Sequence, residues 1–154
     1  MPFNGIYGAL ISYFVPDPVT LPCPAEVKIM KTNSTAVTTL NKNDLIVVTG
    51  AGGFIAGTLV KYFTDEGFSN IRAIDKKPLS EWYQREPDVE SLSLDLSYRD
   101  NCRRAVEGAV EVYNLAADMG GIGYISFHFG DAAHNNVLAS THMLEASRVN
   151  GATR

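Results

Sequence analysis

Short apolar runs alternate with helical stretches from Asp44 onward, and this alternation predicts repeated strand-helix-strand units. Strands are expected at residues 44–49, 70–74, 89–94 and 109–116. Helices are expected at residues 54–66, from a capping motif at 97–100 through Val106, and at about 132–149. This order favours an α/β fold, a Rossmann-type parallel sheet with helices on both faces.

The predicted helices end at recognisable stop signals. Apolar residues recur at helical spacing through residues 54–66, and Gly67 follows them. The tetrad at 97–100, Ser-Tyr-Arg-Asp, resembles a capping box, and Gly108 closes the helix that it opens. Asn150-Gly151 stops the last helix, and the glycine-rich segment 118–124 before that helix is expected to be a loop.

Residues 1–43 have a different character from residues 44–154. They hold five of the seven prolines and a polar tract at 31–35, which is typical of an irregular arm and linker. A short strand or helix is expected at most at residues 6–14. The apolar stretch at 5–15 lacks a preceding Lys or Arg and is too short to span a bilayer, which disfavours a signal peptide or an anchor.

The composition and net charge of the chain disfavour several classes of protein. A chain of 154 residues with 45% hydrophobic and 19% charged residues has the balance of one soluble domain. Its net charge of -4 disfavours nucleic acid as a partner. Cys23 and Cys102 are too few for a disulfide framework and have no zinc-site spacing, so a cytoplasmic location is expected. No two of His128, His134 and His142 have metal-binding helical spacing, and no metal is expected.

The stretch VVTGAGGFIA at residues 47–56 joins the first predicted strand to the first predicted helix through a glycine-rich turn. The N-terminus of a helix attracts phosphate, because its first N-H groups are unpaired and its dipole is positive there. Gly50 permits the tight turn, Gly53 allows close approach of a pyrophosphate, and the small Ala56 allows the helix to pack on the strand. The spacing indicates a dinucleotide site and not a P-loop, although a tight turn without a ligand uses the same residues.

Polar residues follow the other predicted strands. Asp75 lies 25 residues after Gly50, where a carboxylate can accept the hydroxyls of a ribose and repel a 2'-phosphate, which favours NAD over NADP. A solvated Asp at a strand end is the alternative, and Lys76 and Lys77 weaken the preference. Asp95 follows the third strand, as a ligand contact or as a helix cap.

These features resemble the extended short-chain dehydrogenase/reductase superfamily and, within it, the GDP-mannose 3,5-epimerase family. The resemblance covers residues 44–154, about seven tenths of the chain. It rests on TGAGGFIA at 49–56, Asp75, LDL at 94–96, NLAADMGGIGY at 114–124, the Asn135-Asn136 pair and MLEASRVNGATR at 143–154.

The resemblance implies a role for each matched position. It implies that NAD is the cofactor and that a nucleotide sugar similar to GDP-mannose is the substrate of the complete enzyme. The implied contacts are Gly50, Gly53, Phe54 and Ile55 to the pyrophosphate, Asp75 to the ribose, Asp95 and Leu96 to the adenine, Leu115, Ala116 and Ala117 to the nicotinamide side, and Gly120 and Gly121 to the sugar. An ordinary surface loop at Gly120-Gly121, and close packing at Ala116-Ala117, are the alternatives.

The family's acid-base pair, Tyr-x-x-x-Lys, is absent: none of the seven tyrosines has a lysine four residues later. No catalytic residue is therefore assigned. The sequence predicts the incomplete, N-terminal part of a longer epimerase or a truncated product, inactive alone. Three alternatives remain: a non-catalytic NAD-binding module, another NAD-dependent sugar-nucleotide epimerase or dehydratase, and a degenerate product without a stable fold. The sequence leaves open whether two copies pair as a homodimer.

Overall fold

Four parallel strands form the centre of the fold within the described residues. The computed structural model describes residues 40–120 and 122–153. Its strands are β1 (Ile46–Thr49), β2 (Ile71–Asp75), β3 (Glu90–Ser93) and β4 (Glu111–Asn114), in the sheet order β3-β2-β1-β4. All three pairings are parallel, and Thr49 at the end of β1 is in register with Ile74 and Asn114. The predicted fold class is confirmed, whereas the arm predicted at 1–43 lies almost wholly outside the described residues.

In the part of the chain that the structure describes, three α-helices cover the two faces of the sheet. They are α1 (Phe54–Asp65), α2 (Arg99–Val106) and α3 (Ile122–Asn150), and a short 3-10 helix lies at Leu79–Glu81. Ile46 and Val48 of β1 pack in one apolar cluster with α1, whereas Val47 packs in a second cluster with α2 and α3. Alternate side chains of a strand point to opposite faces of the sheet. A strand that is covered on both faces therefore requires apolar residues at consecutive positions.

Two predicted boundaries were wrong for a local reason. The fourth strand ends at Asn114 and not at Ala116, because the Ala116 N-H bonds the Thr49 hydroxyl and leaves the ladder. The capping box does not form: the Ser97 hydroxyl donates to the Asp95 carboxylate at 2.7 Å, and α2 begins at Arg99 without a side-chain cap.

The last helix begins ten residues earlier than predicted, at Ile122 and not at Ala132. The glycines of segment 118–124 indicated a loop, but glycine tolerates helical geometry at a cost of about 1 kcal/mol. A kink at His128, with φ -125° and ψ 23°, divides the helix. Ala132, the predicted start, is instead a buried residue within α3, so the apolar pattern identified a packed part of the helix.

Within the described residues, no helix is both long enough and apolar enough to cross a membrane.

Candidate functional site

A cleft of about 590 Å³ lies at the carboxyl ends of the strands. This is where open parallel sheets bind ligands, and its volume lies in the range of small-molecule sites. The cleft brings together all ten residues predicted to contact a cofactor: Gly50, Gly53, Phe54, Ile55, Asp75, Asp95, Leu96, Leu115, Ala116 and Ala117. The contacts themselves remain a prediction.

The turn after β1 requires glycine at Gly50 because of its backbone conformation and its close approach to Leu115. Its φ is +73°, in the left-handed region, and a Cβ there would lie 2.8 Å from the Leu115 carbonyl oxygen. The Gly53 N-H closes the turn by donating to the Gly50 carbonyl at 2.9 Å. The turn and the segment after β4 therefore touch backbone to backbone.

The N-terminus of α1 opens into this cleft. Gly53 is its N-cap residue and supplies no side-chain hydrogen bond, and the first turn carries no acidic residue. The partial positive charge of the helix end is therefore available to an anion. Ala56 is buried, as helix-on-strand packing requires, while Phe54 and Ile55 are exposed at the cleft.

The Asp75 carboxylate is held in place by two backbone groups. Its Oδ2 accepts from the Gly52 N-H and its Oδ1 accepts from the Lys77 N-H, each at 3.0 Å. A carboxylate has about four acceptor positions, so it retains capacity for the two hydroxyls of a ribose. Gly52 was not among the predicted site residues; its position as the middle glycine of the GAGG run at 50–53 was the available signal.

A buried hydroxyl joins the ends of β1 and β4. Thr49 Oγ1 donates to Asn114 Oδ1 at 2.7 Å and accepts from the Ala116 N-H at 3.0 Å. Thr49 is fully buried, so this pairing satisfies a hydroxyl that water cannot reach. It positions residues 115–117 against the Gly50 turn, and no sequence pattern had indicated it.

Asp95 lines the cleft and also organises its own turn. Its Oδ1 accepts from both the N-H and the hydroxyl of Ser97, at 2.9 and 2.7 Å. Its carbonyl accepts from the Asn101 side chain at 2.9 Å. The structure therefore shows Asp95 in the turn that leads into α2, close to the alternative considered from the sequence.

Cys102 is an inert thiol beneath this wall of the cleft. It is fully buried, and its Sγ donates to the Leu96 carbonyl at 3.1 Å. Burial, followed by the nearby Asp95 charge, raises the pKa of the Cys102 thiol to about 11. A thiol that stays protonated at neutral pH is a poor nucleophile.

The other wall of the cleft carries a polar network around Asp118. Its carboxylate accepts from Asn135 Nδ2 at 2.9 Å and pairs with Lys76 Nζ at 3.1 Å. Asn136 accepts from the Asp118 N-H and donates to its carbonyl. The hydrogen bond from Asn135, and then that from Lys76, lower the pKa of the Asp118 carboxyl.

The structure describes one of the two positions that were predicted to face a sugar. Gly120 is exposed and follows Met119, which lines the cleft, but Gly120 is not itself part of the lining. Gly121 lies outside the described residues. Among the described side chains, no group of three His, Cys, Asp or Glu residues is arranged to hold a metal ion.

Plant enzymes are among the curated relatives of this chain. The chain is 37% identical over 120 residues to GDP-mannose 3,5-epimerase of Arabidopsis thaliana, covering 74% of this chain and 30% of that protein. It is 37% identical over 115 residues to GDP-mannose 3,5-epimerase 1 of Oryza sativa subsp. japonica, covering 71% of this chain and 29% of that protein. The chain thus spans about 30% of the length of the curated relatives that it matches.

Solved structures share the fold. UDP-glucose 4-epimerase of Thermotoga maritima with UDP-glucose aligns with a TM-score of 0.61 at 19% identity, over 70% of this chain and 35% of that chain. UDP-glucose 4-epimerase of Thermus thermophilus, in complex with NAD, aligns with a TM-score of 0.59 at 21% identity, over 70% of this chain and 34% of that chain.

The family model of the NAD dependent epimerase/dehydratase family matches residues 46–154, the segment that builds the sheet, the glycine turn and the cleft. Sequence, fold and family match therefore agree, and the chain belongs to the NAD dependent epimerase/dehydratase family.

Proposed function

We propose that this chain is the NAD-binding portion of a nucleotide-sugar epimerase similar to GDP-mannose 3,5-epimerase. The observation that carries the proposal is the pairing of an open helix end at Gly53 with an Asp75 carboxylate held by two backbone N-H groups in the same cleft. One group suits a pyrophosphate and the other suits a ribose.

The residues of the cleft fit a dinucleotide in the order of the strands. The adenosine half would lie over the ends of β2 and β3, where Asp75 accepts the ribose hydroxyls and Asp95 and Leu96 border the base. The pyrophosphate would lie on the α1 N-terminus, and the nicotinamide half beside residues 115–117. Asp75 disfavours a 2'-phosphate by charge repulsion, so NAD is preferred over NADP.

The chemistry proposed for the whole enzyme is transient oxidation of a sugar carbon, epimerisation beside the new ketone, and reduction back. NAD, when bound, supplies the hydride acceptor and donor for these steps. This chain binds and orients; because its tyrosines lack the lysine partner, no acid-base step is assigned to them. The sugar would lie beside Met119, Gly120 and Gly121. The proposal also includes a cytoplasmic location and pairing of two copies as a homodimer.

A non-catalytic NAD-binding module is the second candidate. The two candidates share the cofactor site and differ in the sugar site. A GDP-mannose contact in the NAD-loaded chain would favour the epimerase portion. Contact with neither GDP-mannose nor UDP-glucose would favour the module, and contact with UDP-glucose alone would favour a different sugar-nucleotide epimerase.

The test is isothermal titration of the purified chain with NAD and NADP, with Asp75→Asn as the variant. We expect NAD to bind more tightly than NADP, and the variant to lose about tenfold or more in NAD affinity because a donor amide replaces one acceptor oxygen. Lys61→Met, a charge change on the exposed face of α1, is the control. Unchanged NAD affinity in a folded Asp75→Asn variant would contradict the ribose assignment. Saturation-transfer NMR with GDP-mannose and UDP-glucose then tests the sugar site.

A further inference from the structure

One ion pair joins the two flanks of the central strand. Lys76 directly follows β2, Asp118 lies four residues after β4, and β1 lies between these strands in the sheet. Lys76 Nζ and Asp118 Oδ1 are 3.1 Å apart, and both residues line the cleft. The pair therefore connects the adenosine side of the cleft to the side where the nicotinamide half would lie.

The two ends of this connection differ in freedom. The Asp118 side chain is 17% exposed and is held by Asn135, while Asn136 bonds its backbone on both sides. The Lys76 side chain is 55% exposed and carries its charge on a flexible stem. The Asp118 carboxylate is thus held in one position, whereas the Lys76 side chain can leave the ion pair and form it again.

The cleft keeps its volume of about 590 Å³ while the ion pair is formed. The pair therefore borders the cleft without filling it. An ammonium has three N-H donors, so Lys76 can remain bonded to Asp118 and still present donors to a phosphate oxygen.

We propose that the Lys76–Asp118 ion pair is a strap across the dinucleotide cleft, which opens to admit the cofactor and closes to retain it. This rests on the proposed function, since the retained ligand is NAD or NADH. The strap affects release of the cofactor more than its entry. A bound cofactor can leave only when the ion pair breaks, whereas a free cofactor can enter while the pair is already open.

A different role for Asp118 predicts the opposite effect on the rate of cofactor release. If Asp118 instead withholds Lys76 from the pyrophosphate, its removal would free the ammonium and slow release. The strap requires that removal of either partner speeds release by a similar factor.

The experiment measures the NADH release rate by stopped-flow fluorescence, with excess NAD as the displacing ligand. The variants are Lys76→Met, Asp118→Asn and the double variant. We expect each single variant to release NADH about twofold to fivefold faster than wild type, as a partly exposed pair allows, and the double variant to release it no faster than either. Lys76→Arg retains the charge and should stay near the wild-type rate.

The control is Lys61→Met, which breaks the exposed Lys61–Asp65 pair of α1 with the same change in charge and should leave release unchanged. Thermal unfolding shows whether Asp118→Asn remains folded; the exposed Lys76→Met variant carries the test if it does not. Slower release in Asp118→Asn, unchanged release in Lys76→Met, or multiplying effects in the double variant would overturn the strap while leaving the proposed function standing. Failure of the wild-type chain to bind NADH would overturn both.

Discussion

The backbone N-H of Gly52 donates to the Asp75 carboxylate at 3.0 Å, so the glycine turn after β1 directly orients the acidic residue after β2. A Cβ at position 52 would lie 3.0 Å from Asp75 Cγ and 2.9 Å from Trp82 Cδ1. The middle glycine of the turn is thus required for the carboxylate to approach. This contact holds the two halves of the proposed dinucleotide site against each other.

Gly52→Ala should weaken NAD binding about tenfold, because the added methyl pushes the Asp75 carboxylate away from its donor. Isothermal titration measures the affinity. Gly123→Ala is the matched control, since a Cβ there meets nothing within 4 Å and alanine favours a helix. Equal NAD affinity in Gly52→Ala and wild type would show that the carboxylate does not depend on this contact.

Gly50→Ala should destabilise the fold by more than a positive φ alone. At Gly67, with φ +82° and open space around it, alanine should cost about 1–2 kcal/mol. At Gly50 the clash with the Leu115 carbonyl adds about 1–3 kcal/mol more. Urea denaturation of both variants separates the two effects, and equal free energies of unfolding would refute the backbone clash.

Thr49→Val should lower the free energy of unfolding by about 1–3 kcal/mol, because Asn114 Oδ1 and the Ala116 N-H lose a buried partner. Thr49→Ser keeps the hydroxyl and should lose only about 1 kcal/mol from the missing methyl. NAD affinity should fall in Thr49→Val and persist in Thr49→Ser. The reverse order would mean that packing, and not the hydroxyl, holds residues 115–117.

The Asp118 network should stabilise the fold in a pH-dependent manner. Hydrogen bonds from Asn135 and Lys76 lower the pKa of the Asp118 carboxyl below its ordinary value of 3.8. Its contribution is therefore complete above the unfolded-state pKa and is lost as the pH falls through the folded-state pKa. Denaturation at about pH 7 and about pH 3 should show that Asp118→Asn is more destabilising at the higher pH than at the lower one.

The control for this pH dependence is Asp100→Asn, which removes a carboxylate that is 92% exposed and should change little at either pH. A destabilisation by Asp118→Asn that is the same at both pH values would mean that packing, and not ionisation, accounts for the effect.

Local features of the sequence were enough to predict the strands, helices and glycine turn. Buried parallel strands and amphipathic helices leave periodic apolar patterns in neighbouring residues, and the left-handed turn at Gly50 admits glycine with little penalty. The clustering of strand-end residues also followed, because parallel strands bring their carboxyl ends to one edge. Where local rules competed, prediction failed: the glycines before α3 suggested a loop, and Ser97 suggested a cap.

The contacts that complete the site depend on partners far apart in the chain. Thr49 meets Ala116 across 67 residues, Gly52 meets Asp75 across 23, and Lys76 meets Asp118 across 42. No periodicity links such positions, because only the order β3-β2-β1-β4 brings their strand ends together. The sequence by itself determined the elements, the glycine turn and the family, whose signals are local. The tertiary structure decided which of these donors meet which acceptors, because a hydrogen bond requires a geometry that the pairing of the strands creates.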